Sequence, residues 1–259
     1  VEPRVTVKPS AIVTGAASGV GRALSRELAR RGVAVTACDV DEEGLRTLVA
    51  ELGGDARAER LDVRDAAAFT ALVEAEGKRR GGLDYLFNNA GVITHKPALE
   101  HTPEEWRRTV DVNVLGTMNG CVAALPLFKA QGRGHLVNTA SIAGLVPMSA
   151  FPVYSFTKFA VVGLSLNLRA ELRRHGIRVT VLCPGGIRTP MTAPLTAGLP
   201  EGEAKVREKM NLDPDVFARA AVDDVMKNRA ICIRPRWARL LWWLFRLFPS
   251  FGNALVKLK

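Results

Sequence analysis

Short β-branched runs alternate with longer amphipathic stretches along almost all of this 259-residue chain. The runs are "AIVTG" (11–15), "VAVTAC" (33–38), "DYLFNN" (84–89), "GHLVNTAS" (134–141), "IRVTVLC" (177–183) and "AICIR" (230–234), with a weaker one near 56–61. Between them lie helix-length patterns over 19–31, 41–52, 65–80, 103–130, 154–174 and 215–228. One start is well marked: "TPEEW" places Thr102 at the N-cap, Pro103 at N1 and Glu105 at N3, a capping box. Strands that alternate with helices form βαβ units and a parallel sheet covered on both faces. The sequence therefore predicts an α/β fold: one domain, with a doubly wound sheet of about seven strands.

Composition supports one large core. Hydrophobic residues make up 47% of the chain, and no repeat, low-complexity segment or linker interrupts it. Four scattered cysteines (Cys38, Cys121, Cys183, Cys232) lack a CxxC pair, which reads as reduced thiols in a cytoplasmic setting. The four histidines lack metal-ligand spacing, so no metal site is expected. The first ten residues carry Glu2, Arg4 and Lys8 and read as no secretory leader. A bilayer-spanning helix needs about 18 apolar residues, and the tail's longest apolar run, Leu240 to Phe245, stops at Arg246; no spanning segment is expected.

The net charge of +10 is concentrated at one end. Seven basic residues and no acid lie between Arg229 and Lys259, so the rest of the chain is close to balanced. That distribution does not make a nucleic-acid-binding face.

"TGAASGVGRAL" follows the first strand and opens the first helix. Gly15 permits a tight turn, Gly19 lets the backbone approach a pyrophosphate, and Gly21 allows close helix packing. The anion would sit on the positive end of the helix. Asp39 ends the second strand, where a carboxylate can hydrogen-bond both adenosine ribose hydroxyls and repel a 2′-phosphate. Ser18 and Val40 supply no base to welcome that phosphate, and Arg22 should lie one helical turn in. These residues predict NAD rather than NADP.

The glycines follow TGxxxGxG. Joined to "NNAG" (88–91), "DVNVLG" (111–116), "SIAG" (141–144), "YSFTK" (154–158) and "PGGIRTP" (184–190), the chain resembles the short-chain dehydrogenase/reductase family over residues 10 to 190. The resemblance implies a Rossmann-type domain, a nicotinamide cofactor and an Asn–Ser–Tyr–Lys catalytic set at Asn113, Ser141, Tyr154 and Lys158. It further implies cofactor contacts from Gly15, Ser18, Gly19, Val20, Gly21, Asp39 and Val40 at one end. Asp62 and Val63 would meet the adenine, and Asn89, Ala90 and Gly91 would line the path. Pro184, Gly185, Ile187 and Thr189, with Tyr154 and Lys158, would hold the nicotinamide half.

The chemistry of the residues agrees. Tyr154 and Lys158 are four apart on a helix-length segment and share a face. A tyrosine ionises near pH 10, and a neighbouring ammonium is expected to pull it down toward the range of a working acid–base group. Ser141 can hold the reacting oxygen, and Asn113 can hold a water that links the lysine to solvent. Taken singly, each has a plainer reading: a solvated helix face, a turn or cap, and for Asn113 an internal helix defect tied to backbone.

The leading expectation is an NAD-dependent oxidoreductase that interconverts a secondary alcohol and a ketone. A 3-oxoacyl-thioester reductase and a non-catalytic NAD-binding scaffold are the alternatives. Asp39 counts against the thioester reductase, since such reductases in the family commonly use NADPH. Residues 190–214 are read as a substrate loop, apolar through Met191, Pro194, Leu195, Leu199, Met210 and Leu212, with Arg188 as the one candidate clamp for an anion. A lipophilic substrate such as a steroid, retinoid or lipid derivative fits. The resemblance further implies a homodimer or tetramer through helices 103–130 and 154–174, whose equivalents in the family pack on a two-fold mate, with Ala123, Ala124, Ala160 and Gly163 allowing close approach.

Residues 1–234 would form the catalytic domain and 235–259 a basic amphipathic tail. "RWARLLWWLFRLF" (236–248) holds three tryptophans, two phenylalanines, four leucines and three arginines. Three readings stay open for it: packing on its own domain or a dimer mate, lying on an anionic membrane surface, or serving as a substrate lid.

Overall fold

Strand β1 (Ser10–Thr14) is buried at all its positions, because it pairs on both sides and is covered above and below. In this computed structural model, which describes residues 8–148, 151–195 and 211–248, it lies between β2 (Ala34–Asp39) and β4 (Tyr85–Asn88). With β3 (Arg57–Arg60), β5 (Gly134–Thr139), β6 (Ile177–Pro184) and β7 (Ile231–Arg234) it completes a parallel sheet of order β3-β2-β1-β4-β5-β6-β7. Near-continuous apolar runs are what a sheet buried on both faces requires. β3 is the exception. Its sequence "RAER" is polar because it is an edge strand, which is why its pattern is the weakest.

Helices α1 (Gly19–Arg30), α2 (Glu42–Leu52) and α7 (Pro214–Met226) cover one face through Leu24, Leu28, Leu45, Leu48 and Phe217. Helices α3 (Ala66–Arg80), α5 (Gly116–Gln131) and α6 (Pro152–Leu172) cover the other through Phe69, Val73, Ala124, Phe128 and Leu172. Phe69, Phe128 and Phe217 are fully buried, and emptying any one to alanine would cost about 3–5 kcal/mol.

The expected helix 103–130 is three joined pieces. α4 (Pro103–Val110) has the capping box of Thr102 and Glu105, a π-helical turn spans Asp111–Leu115, and α5 comes directly after it. The widened turn carries Asn113 inward. By length and composition Pro103–Gln131 could cross a bilayer, against the expectation of no such segment. Here it is a core helix, since Gly116, Gly120, Cys121, Ala124 and Phe128 are buried against α3 and the sheet.

That phase also corrects the expected dimer contacts. Ala123 and Ala124 face their own sheet and are unavailable to a second copy. The outward positions are Leu115, Met118 and Val122 on and beside α5, and Phe156, Phe159, Gly163 and Leu166 on α6.

Helix α8 (Ala238–Leu247) follows β7. It lays Ala238, Leu241, Trp242 and Phe245 on a cluster formed by Ala140, Leu145, Val146, Val161, Val162 and Ile233.

Candidate active site

A cleft of about 390 Å³ runs along the carboxyl ends of the strands. It lies where the order of a doubly wound sheet reverses, with β1 bonded to β2 on one side and β4 on the other. The glycine turn forms its floor. Gly15 and Gly19 have φ of 65° and 52°, a region that disfavours side chains. A Cβ on Gly21 would strike the Gly15 carbonyl oxygen, so this glycine is fixed by the turn packing on α1 and does not itself line the cleft.

Asp39 closes one end. Its carboxylate accepts from the Ala17 amide at 3.0 Å and from the amides of Val40 and Asp41 at 2.7 and 3.1 Å. Arg22 lies one turn into α1, as expected, and is committed to Glu51 at 3.0 Å and Thr47 at 3.1 Å. Asp62 and Val63 line the wall, but Arg64 holds the Asp62 carboxylate at 2.5 Å and its pKa below the usual carboxylate value.

The "NNAG" turn is stitched to β1. Thr14 Oγ1 accepts from the amides of Asn89 and Ala90 at 3.0 and 3.1 Å, and Asn89 Nδ2 donates to the Thr14 carbonyl at 3.1 Å. Asn89 thus lines the cleft with a side chain already engaged in holding two loops together. Gly91 leaves room for polar neighbours: a Cβ there would lie 3.3 Å from Asn113 Oδ1 and 3.4 Å from Lys158 Nζ.

At the other end, β5 delivers Ser141 and α6 delivers Tyr154 and Lys158. Lys158 Nζ donates to the Thr139 carbonyl at 2.9 Å and sits 5.5 Å from the centre of the Tyr154 ring. Burial pulls Lys158 down to about 8. The expected lowering of Tyr154 is not met. Burial pushes its hydroxyl up to about 12, and a hydrogen bond from Ser141 offsets only part of this. Loss of water around the hydroxyl is the largest influence, since it disfavours the charged phenolate.

Asn113 is fully buried and does not line the cleft. Its Oδ1 accepts from the Val92 amide at 2.8 Å, and Nδ2 donates to the Val92 carbonyl at 2.9 Å and to Thr157 Oγ1 at 3.0 Å. Both amide hydrogens are therefore engaged within the fold.

Pro184, Gly185, Ile187 and Thr189 line the cleft, with Ser18, Val20, Val40 and Ala90. Thr189 reaches over the glycine turn, and a Cβ on Gly19 would lie 3.2 Å from its methyl group. Thr192 was not anticipated; it ties the loop by donating to the Ile187 carbonyl at 2.5 Å and accepting from the Thr189 amide at 3.1 Å. Thr139 was also missed. Its Oγ1 is buried beside the cleft without a partner among the described residues. Neither stands in a motif, so only the tertiary structure could find them.

On the substrate side Pro190 and Met191 line the wall. Arg188 pairs with Asp213 at 3.2 Å, and Leu212 packs into the core beside α7, so neither serves the pocket as expected. Leu199 and Met210 lie outside the described residues, as does the side chain of Leu195. His95 was not foreseen; its Nε2 lies 3.0 Å from the Met191 carbonyl oxygen.

The cleft fits an extended dinucleotide: a glycine turn at a helix N-terminus, a carboxylate at one end, and at the other a buried hydroxyl without a partner among the described residues. The profile of the short chain dehydrogenase family matches residues 9–200. The chain belongs to the short-chain dehydrogenase family. It is an oxidoreductase acting on CH–OH groups. A 3-alpha-(or 20-beta)-hydroxysteroid dehydrogenase of Mycobacterium tuberculosis is 40% identical over 70% of each chain. The D-threitol dehydrogenase of Mycolicibacterium smegmatis is 38% identical over 82% of this chain and 84% of that one. The crystal structure of 3-ketoacyl-(acyl-carrier-protein) reductase from Brucella melitensis, complexed with NADH, superposes with a TM-score of 0.78. It is 32% identical, over 87% of this chain and 95% of its own.

Proposed function

We propose that the protein interconverts a secondary alcohol and a ketone with NAD(H), using Tyr154 as general acid and base. The observation that carries this reading is the convergence of Ser141, Tyr154 and Lys158 at one end of a cleft whose other end holds Asp39. Residues 1–234 would be the catalytic domain and 235–259 its tail.

Gly15, Ser18, Gly19 and Val20 would hold the pyrophosphate, and Asp39 the adenosine ribose. Asp62, Val63 and Ala90 would line the adenine and its path. Ile187, Thr189 and Lys158 would hold the nicotinamide half. When bound, NAD supplies the hydride acceptor and NADH the donor. The protein's own work is then to orient the substrate and move one proton. Ser141 holds the substrate oxygen against the Tyr154 hydroxyl. With its pKa pushed up, Tyr154 rests as the neutral phenol, ready to donate to a carbonyl oxygen. In the opposite direction the Tyr154 hydroxyl first releases its proton to solvent, and the phenolate, which the Lys158 ammonium stabilises, then takes the proton of the alcohol. Asn113 positions Val92 and, through Thr157, the helix that carries both groups.

NAD over NADP is supported by Asp39 and by the engagement of Arg22 elsewhere. A lipophilic substrate is supported by Pro190 and Met191 on the wall and by the hydroxysteroid relative; the threitol relative makes a polyol the control. One second reading has an observation in its favour: the 3-ketoacyl reductase with NADH is similar in fold and sequence, which weakens the cofactor argument against a thioester substrate. An absorbance assay of NAD(H) turnover against steroid, retinoid, polyol and acetoacetyl-thioester substrates decides. Turnover of the thioester alone would favour the second reading, and none at all with any carbonyl or alcohol would favour a scaffold.

We further read the protein as a cytoplasmic homodimer or tetramer. The outward apolar row of Leu115, Met118, Val122, Phe156, Phe159 and Leu166 supports a copy-to-copy face.

A further inference from the structure

Helix α8 is apolar on two faces, and the fold uses only one. Ala238, Leu241, Trp242 and Phe245 are seated on the core. Trp237, Leu240, Trp243, Leu247 and Phe248 point away, each between 48% and 65% exposed. At about 100° per residue, Leu240, Leu244 and Leu247 fall on the side opposite Ala238, with Trp237 and Trp243 at the margins. Own-domain packing therefore explains about half of the helix. The other half would be an unusual load of exposed apolar surface for ten residues.

The charges point to what covers it. Arg236, Arg239 and Arg246 are exposed, and none has a carboxylate partner among the described residues; Arg246 instead stacks over Trp242 at 5.7 Å. Arg22, Arg26, Arg30, Arg31 and Arg64 are all paired, and Arg229 and Arg234, just upstream, share Asp224 at 3.2 and 2.7 Å. A two-fold contact of α8 with its own copy would bring arginine toward arginine with no acid on the helix to relieve it. A surface of anionic headgroups over hydrocarbon matches both features: guanidinium groups to the phosphates, tryptophan rings at the boundary and leucines below.

We propose that the outward face of α8 docks the protein on an anionic lipid bilayer. The helix lies in the plane of the interface, with Leu240 and Leu247 inserted and Arg239 and Arg246 at headgroup level. The contact is close to the chemistry. The Gly185 amide, on the cleft wall, donates to the Arg234 carbonyl at 2.6 Å, and a Cβ on Gly185 would lie 3.0 Å from Pro235. The segment that launches α8 is thus packed against the cleft end that holds Ser141 and Tyr154. A bilayer at α8 would bring a lipid-dissolved alcohol to that end. The docking itself does not depend on the alcohol reading and is tested without substrate.

The full chain is mixed with vesicles of phosphatidylcholine containing about 30% phosphatidylglycerol and floated through a density gradient. At about 50 mM salt it should rise with the vesicles, and at about 0.5 M salt or with pure phosphatidylcholine it should largely remain below. Leu240→Ser with Leu247→Ser should lower partitioning about tenfold or more, as should Arg239→Glu with Arg246→Glu. Both double variants should keep the NAD affinity of the parent, and the leucine variant its melting temperature as well, since neither pair touches the cleft and neither leucine touches the core. Bromine-labelled lipid chains should quench tryptophan fluorescence in the parent and less in the leucine variant. The proposal is overturned if the parent stays below at low salt, or if either double variant floats as the parent does. It is also overturned if the leucine variant loses a subunit in light scattering, which would make the face a contact between copies.

Discussion

Asp39 at the end of β2 accepts a hydrogen bond from the amide of Ala17, in the turn after β1, at 3.0 Å. Two adjacent strands thereby share one fixed carboxylate, which cannot swing aside for an added phosphate. NAD(H) should bind at least about tenfold more tightly than NADP(H), about 1.4 kcal/mol. Asp39→Ala with Val40→Arg should narrow or reverse that ratio in titrations of cofactor fluorescence. Equal affinities in the parent would remove the assignment.

Tyr154→Phe removes only a hydroxyl at the lining of the cleft. The fold and cofactor affinity should survive while kcat falls by about 10² or more. Full activity with every substrate turned over by the parent would refute the role.

In the proposed mechanism Lys158 has two jobs, and its burial carries a cost. Lys158→Met should reduce both turnover and cofactor affinity. The buried amine has its folded pKa lowered to about 8, below the ordinary 10.5. Its penalty on the fold is therefore complete below about 8 and relieved as the pH rises toward 10.5. In the cofactor-free protein the methionine variant should melt no lower than the parent at pH 7, and its advantage should shrink by pH 10. A lower melting temperature at pH 7 would count against a buried charge at this position.

Glu27 on α1 is almost fully buried and bonds Arg30 at 2.8 Å and Arg31 at 2.6 Å; Arg31 continues to Asp223 on α7 at 2.7 Å. These partners, Arg30 foremost, take its pKa from 4.5 to about 2. Such a shift corresponds to roughly 3 kcal/mol at most. That stabilisation is whole above about pH 4.5 and is lost as the pH falls toward 2. Glu27→Gln should lower stability in urea at pH 7 and flatten the acid limb. An unchanged midpoint at pH 7 would show that the pair is idle.

The outward row on α5 and α6 gives the last test. Val122→Arg with Phe159→Arg should shift the mass in light scattering toward a monomer, whereas Ala124, fully buried in its own core, should alter stability if enlarged. A parent that is already monomeric at micromolar concentration would dismiss the interface.

The alternation of strands and helices, the near-continuous apolar runs and the glycine turn were legible in the chain through local periodicity and spacing, and the candidate set Ser141, Tyr154 and Lys158 through the family resemblance. Helix phase over a long segment was not. Ala123 and Ala124, beyond the widened turn at Asp111–Leu115, face inward although their small size suggested a helix–helix contact. Proton affinity was not legible either. Sequence places Lys158 one turn from Tyr154, but only packing decides how much water both lose, and that loss reverses the expected direction for the tyrosine. Asn113 and Arg188 were recognisable as polar groups near the site, yet their partners Val92, Thr157 and Asp213 are brought to them by the folded chain. The sequence by itself determined the α/β alternation, the family and the candidate reactive groups, since these rest on local patterns and short motifs. The tertiary structure alone decided which of those groups are buried, paired or free, and which half of α8 is left outside, because desolvation and partner choice depend on residues distant in the chain.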